Sequence, residues 1–114
     1  MKYMVLIAGP EDPPGSTSPE RSAAYDRILR WWEEQSSSGK VIEGYELQPS
    51  LTATTVRRDE AGNVTVTDGP FVEAKEMVGG YAILDVADLD EAIALVSDWP
   101  SSATLEIRPL VRQD

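Results

Sequence analysis

The chain has 114 residues, of which 41% are hydrophobic and 26% charged, a composition typical of a single folded domain over residues 1–114. Twenty acidic residues against ten basic ones give a net charge of −10, which argues against a nucleic-acid partner and against an anionic membrane surface. The chain has neither cysteine nor histidine, which excludes thiolate chemistry and removes the commonest general base and transition-metal ligand.

The first elements are a strand, a loop and a helix. Residues 2–8 are mostly apolar and predict a strand that is buried on both faces. Three prolines and two glycines make residues 9–18 a loop. Ser18 as N-cap and Pro19 at the first helical position predict the start of a helix, and Gly39 predicts its end.

The middle of the chain predicts two strands and a hairpin. Residues 41–47 and 52–58 are strand-like, and Pro49 between them cannot donate to a ladder, so they form two strands or one broken edge strand. Residues 59–63 predict a hairpin loop, after which residues 64–67 alternate between apolar and polar. We expect the two arms of this hairpin to pair antiparallel.

The last third predicts a strand, a helix and a strand. Residues 69–78 predict an irregular or short helical stretch, and residues 81–86 form an apolar strand. Asp88 and Glu91 have the spacing of a capping box at the start of a second helix, and residues 104–111 alternate like a strand. The apolar stripe of the second helix is expected to bury Leu89, Ala92 or Ile93, and Val96.

This order of elements predicts an α+β, ferredoxin-like fold (βαβ, hairpin, βαβ) with two helices on one face of an antiparallel sheet. The strands are too apolar for the other sheet face to be open to water, so something has to cover it. A second copy of the chain, packed sheet on sheet, is the favoured solution. The alternative is that residues 9–18 and 69–78 fold over that face.

The polar motif Asp68-Gly69-Pro70-Phe71, followed by Glu-Ala-Lys-Glu at 73–76 and Gly-Gly-Tyr at 79–81, resembles the YCII-related family, specifically its DGPF-domain branch. The resemblance extends over nearly the whole chain through further motifs in the same order, namely Met1-Lys2-Tyr3-Met4, Leu47-Gln48-Pro49 with residues 52–57, Leu89-Asp90-Glu91-Ala92, and Glu106-Ile107-Arg108-Pro109.

The resemblance implies a ferredoxin-like domain of the dimeric α+β barrel superfamily, which agrees with the need to cover the second sheet face. It implies little about activity. Many DGPF-domain proteins occur beside, or fused to, sigma factors of the extracytoplasmic-function type, whereas other YCII relatives are proposed to be enzymes that use a histidine–aspartate pair. Because this chain has no histidine, such a pair cannot act here in the same way.

Asp68 is the candidate catalytic residue. A carboxylate in a cleft can act as acid, base or ligand anchor when desolvation raises its pKa towards the working pH. The structural alternative is a turn, because Asp before Gly often accepts a hydrogen bond from a neighbouring backbone N–H. Gly69 and Pro70 are expected to fix the direction of the chain, and Phe71 is expected to pack in the core or in a dimer interface.

The candidate ligand-binding residues are Arg57, Thr55, Tyr81 and Arg108. Arg57 shares a strand face with Thr55 and can turn towards a cleft, but an ordinary cross-strand ion pair is the alternative. Tyr81 can donate to a ligand carbonyl, and Arg108 can hold a carboxylate with two hydrogen bonds, unless it pairs with neighbouring carboxylates. No metal and no cofactor are expected.

Two functions of different classes follow. The first is a small-molecule-binding or enzymatic homodimer with a cavity near the sheet–sheet interface, lined by Asp68, Arg57, Tyr81 and Arg108. The alternative is a non-catalytic sensory or interaction module whose partner is a transcription-related protein. The sequence has no stretch of roughly 20 apolar residues, and an early acidic break ends its first apolar run, so a cytoplasmic location is expected.

Overall fold

The computed structural model describes residues 1–12, 18–71 and 74–112. The elements in chain order are β1 (Lys2–Gly9), α1 (Pro19–Ser37), β2 (Val41–Glu46), β3 (Thr54–Arg58), β4 (Val64–Asp68), β5 (Met77–Asp85), α2 (Leu89–Ser97) and β6 (Thr104–Pro109). This is the predicted order of elements. Val72 and Glu73, which belong to the DGPF motif region, lie outside the described residues.

Four of the strands form one antiparallel sheet in the order β2-β5-β1-β6. With the inserted hairpin set aside, this is the strand order of a split βαβ pair, in which each helix connects two strands that are not neighbours. The α+β ferredoxin-like fold is therefore confirmed. Strands β3 and β4 pair antiparallel with each other in a separate two-stranded sheet, as the hairpin pattern predicts.

The ends of both helices follow from the capping residues. Ser18 Oγ accepts a hydrogen bond from Arg21 N at 3.1 Å, and Gly39 has the positive φ of 81° that suits a residue just beyond a helix. Asp88 Oδ1 accepts from Glu91 N at 2.9 Å. Glu91 in turn accepts from the amide of Ala87, one residue before the cap, so the predicted capping box closes one residue early.

Both helices cover the same face of the main sheet. The core combines Trp31 of α1 and the apolar face of α2 with side chains of the three strands β1, β2 and β5. Its buried members are Tyr3, Val5, Trp31, Val41, Ala82, Leu84, Val86, Ala92, Leu95 and Val96. The three tryptophans pack edge to face at 5.0–6.0 Å between ring centroids, and Trp32 is half-buried.

The structure corrects the predicted stripe of α2. Leu89 and Ile93 are 47% and 46% exposed, whereas Leu95 is 7% exposed and joins Ala92 and Val96 in the core. The helix has only nine residues. Its buried side is the one that faces Trp99, which packs against the same core cluster, and not the one that carries Leu89 and Ile93. Sequence periodicity over so few residues fits two neighbouring stripes, and the position of the sheet decides between them.

Several strand boundaries also differ from the prediction, most clearly the starts of β5 and β3. Strand β5 begins at Met77 instead of near Tyr81, because a bulge between Ile7 and Ala8 lets β1 pair with the whole segment. Gly80 lies inside the strand, where an added Cβ would come within 3.1 Å of the carbonyl oxygen of Tyr45. Residues 50–52 form a 3-10 turn, so that β3 begins at Thr54.

The face of the sheet opposite the helices has no layer of the main fold over it. Paired residues on this open sheet face include Met4 with Ile83 and Leu6 with Tyr81, all of them half-buried, and Tyr45 is 65% exposed. The prediction that β1 is buried on both faces is therefore wrong for the single chain: Tyr3 and Val5 are buried under the helices, whereas Met4 and Leu6 on the other face are only half-buried.

The β3–β4 hairpin, called the ribbon below, stands apart from the main sheet. One of its faces carries Val56, Val64 and Val66, which are 52–65% exposed. The radius of gyration is 16.3 Å, whereas a compact domain of roughly 100 residues has about 13 Å. Among the described residues, no helix has the length and hydropathy that crossing a membrane requires.

Candidate functional site

A cavity with mainly apolar walls lies on the helix side of the sheet, where β1 ends and β5 begins. We call it the helix-side cavity; its volume is about 260 Å³. Its apolar walls come from α1, from the strand ends and from the segment after α2, and they include Ile7, Ile28, Trp32, Met77, Trp99 and Ala103. Its polar side chains are Glu11, Tyr25, Glu46 and Ser101. Apolar walls with a few polar groups are typical of sites for small molecules.

Trp32 reaches this cavity because β2 has a glycine beneath it. A Cβ on Gly44 would lie 2.3 Å from Trp32 Cζ3 and 2.9 Å from the carbonyl oxygen of Tyr81. The indole ring therefore occupies the space that any other residue on the strand would fill. Trp99 packs against Trp32 at 6.0 Å between ring centroids, and its Nε1 donates to Ser101 Oγ at 2.8 Å, which fixes the second aromatic wall.

Tyr25 and Glu46 form the polar side of the helix-side cavity. Tyr25 lies two turns into α1, and its hydroxyl donates to Glu46 Oε2 at the end of β2 at 2.9 Å. This hydrogen bond and the negative charge of Glu46 raise the pKa of Tyr25 above its ordinary value. Tyr25 therefore remains a protonated donor at neutral pH, and Glu46 keeps its second oxygen for another partner.

Glu11 lies where the helix-side cavity meets a second cavity. Both cavities have Glu11 and Met77 in their walls. The Glu11 carboxylate accepts hydrogen bonds from Ser50 Oγ and, at 2.7 Å, from Ser50 N. These two bonds lower the pKa of Glu11 below its ordinary value, because they favour the charged form.

The second cavity, called the turn cavity below, has a volume of about 480 Å³ and is formed by the DGPF motif and its neighbours. Asp68, Gly69 and Pro70 line it, opposite Ser50 and Leu51 of the 3-10 turn. Three of the four motif residues therefore line this cleft, whereas Phe71 does not. The turn cavity is more open and more polar than the helix-side cavity.

The turn at Asp68 is held by groups other than its carboxylate. Thr55 Oγ1 donates to the carbonyl oxygen of Gly69 at 2.7 Å, and Gly69 N donates to the carbonyl oxygen of Ala53 at 2.8 Å. Gly69 has a φ of 100°, which only glycine adopts readily. The Asp68 carboxylate is exposed and has no hydrogen-bond partner in the part of the chain that the structure describes. The expected turn-capping bond of Asp68 is thus absent there.

Arg57 lies against Phe71 on the polar face of the ribbon. Its guanidinium carbon is 4.3 Å from the centroid of the Phe71 ring, which is the geometry of a cation–π contact. Phe71 is 66% exposed, so the expectation that it packs in the core is wrong for the single chain. Packing of Phe71 in a dimer interface stays a prediction.

Tyr81 and Arg108 lie on the open sheet face, away from the motif. The register pairs Leu6 with Tyr81 and Met4 with Arg108, so both side chains share that face. The Tyr81 hydroxyl donates to Glu43 Oε1 at 3.0 Å, and this bond raises the pKa of Tyr81. Neither residue lines the helix-side cavity or the turn cavity. The structure thus places Thr55 and Arg57 on one face of the ribbon and Asp68 on the other, and separates all three from Tyr81 and Arg108.

Sequence reasoning missed the residues that line the helix-side cavity. Tyr25 and Glu46 are 21 positions apart, and only the packing of α1 on β2 brings them together. A local signal was available for the aromatic wall, since Gly44 in an otherwise strand-like run marks a close approach. In residues 1–12, 18–71 and 74–112, no three acidic side chains are close enough together to hold a metal ion.

The model of the YCII-related domain family matches residues 1–112. The chain belongs to the YCII-related family. It is also 34% identical to an uncharacterised protein of Rhizobium meliloti (strain 1021), over 96% of this chain and 92% of the relative. The resemblance seen in the sequence motifs is thereby confirmed at the level of the family.

Membership of the YCII-related family does not assign an activity to this chain, since the Rhizobium relative is itself uncharacterised. The histidine of a histidine–aspartate pair has no counterpart here, because the sequence contains no histidine. Among the residues around the helix-side cavity, the groups able to exchange protons are the carboxylates of Glu11 and Glu46 and the hydroxyl of Tyr25. The function has to be inferred from that set.

Proposed function

We propose that this YCII-related protein is a homodimer that binds a small molecule in the helix-side cavity. The observation that carries the proposal is the cavity itself, in which Trp32 and Trp99 face a space of about 260 Å³ that also holds the Tyr25–Glu46 pair. Burial of one ring of a ligand against such walls contributes roughly 25 cal/mol per Å² of apolar surface. The Tyr25–Glu46 pair then orients the polar end of that ligand.

The size of the cavity limits the ligand. Sites for drug-sized molecules have volumes of about 300–1,000 Å³, and the helix-side cavity lies just below that range. A molecule with one aromatic or aliphatic ring and a short polar arm fits such a volume. A ligand of this size can extend its polar arm towards Glu11, where the turn cavity and Asp68 begin. We therefore propose Asp68 as a secondary contact instead of the centre of the site.

The homodimer is proposed from two surfaces that the single chain leaves uncovered. The first is the open sheet face, where Met4, Leu6, Ile83 and the Tyr45–Tyr81 pair form an apolar band. A contiguous apolar sheet face is rare on the surface of a monomer. A second copy related by a two-fold axis covers it with the same residues, sheet on sheet.

The second uncovered surface is the apolar face of the ribbon. Val56 and Val66 are cross-strand partners on this face, and Val64 lies beside them, next to the hairpin loop. An isolated two-stranded hairpin is marginally stable in water. Packing of these valines against a second chain supplies the burial that the ribbon lacks within its own chain.

Several finer points are part of this proposal and come from the sequence. They are the DGPF branch of the family, a cytoplasmic location, and a further cavity between the open sheet face and the dimer interface with contributions from Tyr81 and Arg108, which share that face. Neither the fold nor the family comparison favours the alternative of a transcription-associated interaction module.

Native mass spectrometry of protein purified from its own host tests ligand binding. We expect an adduct of small mass that Ala103→Phe removes, because Ala103 lines the helix-side cavity and a phenyl ring there fills it. Ala61→Phe in the exposed hairpin loop is the matched control and should keep the adduct. An adduct that persists unchanged in Ala103→Phe, or a wild-type protein that carries none, contradicts binding in this cavity.

Light scattering across a dilution series tests the dimer. A chain of 12.5 kDa should scatter as a species of about 25 kDa, twice that mass. Tyr45→Glu places a charge on the open sheet face and should shift the species towards the monomer. Val111→Glu, at a fully exposed position after β6, is the control and should leave the dimer intact. A 12.5 kDa wild-type species at micromolar concentration overturns the dimer.

A further inference from the structure

The charged side chains that line the helix-side cavity are all of one sign. They are Glu11 and Glu46, and no lysine or arginine contributes to its wall. All ten basic residues of the sequence lie within the described residues, so the remaining positions contain no lysine or arginine. Arg21, at the start of α1, forms an ion pair with Asp12 at 2.8 Å. The same absence of basic side chains holds for the wall of the turn cavity.

The two carboxylates are held in place by different partners. Two hydrogen bonds from Ser50 orient Glu11, and the hydroxyl of Tyr25 orients Glu46. Each of these partners donates a hydrogen bond to a carboxylate oxygen, and no lysine or arginine in the cavity wall neutralises either carboxylate. Both acidic side chains are therefore held at the cavity wall as hydrogen-bond acceptors, with no basic side chain beside them in that wall.

The aromatic walls, like the two carboxylates, favour a positively charged ligand. Trp32 and Trp99 line the same space, and tryptophan is the side chain that attracts cations most strongly through its ring. A ligand carboxylate, by contrast, would lose its hydration and meet two like charges with no basic partner. The net charge of −10 acts in the same direction at longer range.

We propose that the helix-side cavity selects organic cations, that is, small ring-bearing amines, over organic anions of the same size. The ring packs against Trp32 and Trp99, and the ammonium group lies between Glu11 and Glu46. This inference rests on the proposed function and adds the chemical class of the ligand. A ligand carboxylate would find no basic side chain in the wall of this cavity.

Three probes of matched size test the selection, namely 2-phenylethylamine, 2-phenylethanol and phenylacetate. Tryptophan fluorescence at pH 7 and low salt measures their affinities. We expect the amine to bind at least about tenfold more tightly than phenylacetate, a difference of ~1.4 kcal/mol. The alcohol should lie between them. Because exposed charges are screened over about 10 Å at 0.1 M salt, the amine preference should shrink as salt rises.

Variants that each remove one negative charge show which carboxylates cause the preference for the amine. Glu46→Gln and Glu11→Gln each keep a hydrogen-bond acceptor for Tyr25 or Ser50, and each should reduce the preference for the amine severalfold while the alcohol binds as before. Glu60→Gln, in the exposed hairpin loop, removes the same charge elsewhere and should leave the preference unchanged.

The outcomes separate this inference from the proposed function. If phenylacetate binds as tightly as the amine, the cavity binds small molecules but the charge selection is wrong. If none of the three probes binds at millimolar concentration, both proposals fail. If Glu60→Gln lowers the preference as much as Glu46→Gln does, net charge and not the cavity selects the ligand, which also overturns the inference. The wild-type comparison needs no variant, so a variant that fails to fold leaves the test decisive.

Discussion

Replacement of Gly44 by alanine tests the packing on which the helix-side cavity depends. An alanine Cβ at this position would lie 2.3 Å from Trp32 Cζ3 and 2.6 Å from Trp32 Cη2, whereas ordinary contacts begin near 3.4 Å. The indole ring therefore has to move by about 1 Å. The Tyr81 carbonyl oxygen, 2.9 Å away, is part of the neighbouring strand and cannot move as easily. Overpacking of this kind costs about 1–3 kcal/mol.

Urea unfolding at one fixed protein concentration measures the free energy of unfolding of wild type and variant. Gly79→Ala is the matched control, because its Cβ would meet nothing within 4 Å on strand β5. That control should be neutral or stabilise by up to about 1 kcal/mol. In Gly44→Ala the shifted Trp32 should also weaken binding of 2-phenylethylamine. A Gly44→Ala protein as stable as Gly79→Ala, with unchanged fluorescence, would refute the close packing of Trp32 on β2.

Three further predictions follow. Leu95→Ala should lower the free energy of unfolding by about 2–5 kcal/mol, whereas Leu89→Ala, on the exposed side of α2, should lower it by under about 1 kcal/mol. Equal losses in urea unfolding would contradict the burial of the Leu95 face of the helix. Asp68→Asn should change stability by no more than about 0.5 kcal/mol, because Thr55 and backbone groups hold the turn; a loss above 1 kcal/mol in the same assay would mean that the carboxylate does hold it. The pKa of Glu11 is lowered in the folded protein, so its contribution to stability is present above an ordinary glutamate pKa of about 4.3 and is lost as pH falls through the lower folded value. The melting temperature of wild type should therefore exceed that of Glu11→Gln at pH 6 and approach it near pH 3. A difference in melting temperature that does not depend on pH would contradict the hydrogen bonds between the charged Glu11 carboxylate and Ser50.

The fold was largely predictable because its signals are local. Ser18 and Gly39 mark the ends of α1 through their own backbone geometry, and the alternation at residues 64–67 places β4 without knowledge of the rest of the chain. The errors arise where an element elsewhere in the fold determines which residues are buried or paired. The sheet selects which stripe of α2 is buried, and the bulge next to Ile7 lets β5 start early.

The candidate site was predicted only in part, for the same physical reason. The DGPF motif forms part of the wall of the turn cavity, and Thr55 holds the turn of that motif. A compact motif is a local signal, so the sequence can indicate both. The Tyr25–Glu46 hydrogen bond instead joins a helix to a strand end, and neither residue carries a local signature. The sequence predicts one cavity lined by Tyr81, Arg108 and Asp68, but the strand register places Tyr81 and Arg108 on the open sheet face, away from Asp68.

The three tryptophans offer the most direct measurement of ligand binding in the helix-side cavity. Each indole N–H gives its own signal in a proton–nitrogen NMR spectrum, and two of the three rings, Trp32 and Trp99, line the cavity, whereas Trp31 is buried behind them. Titration with 2-phenylethylamine should shift the Trp32 and Trp99 signals along one saturating curve and move that of Trp31 much less. Saturable binding that leaves the Trp32 and Trp99 signals in place would contradict the proposed site.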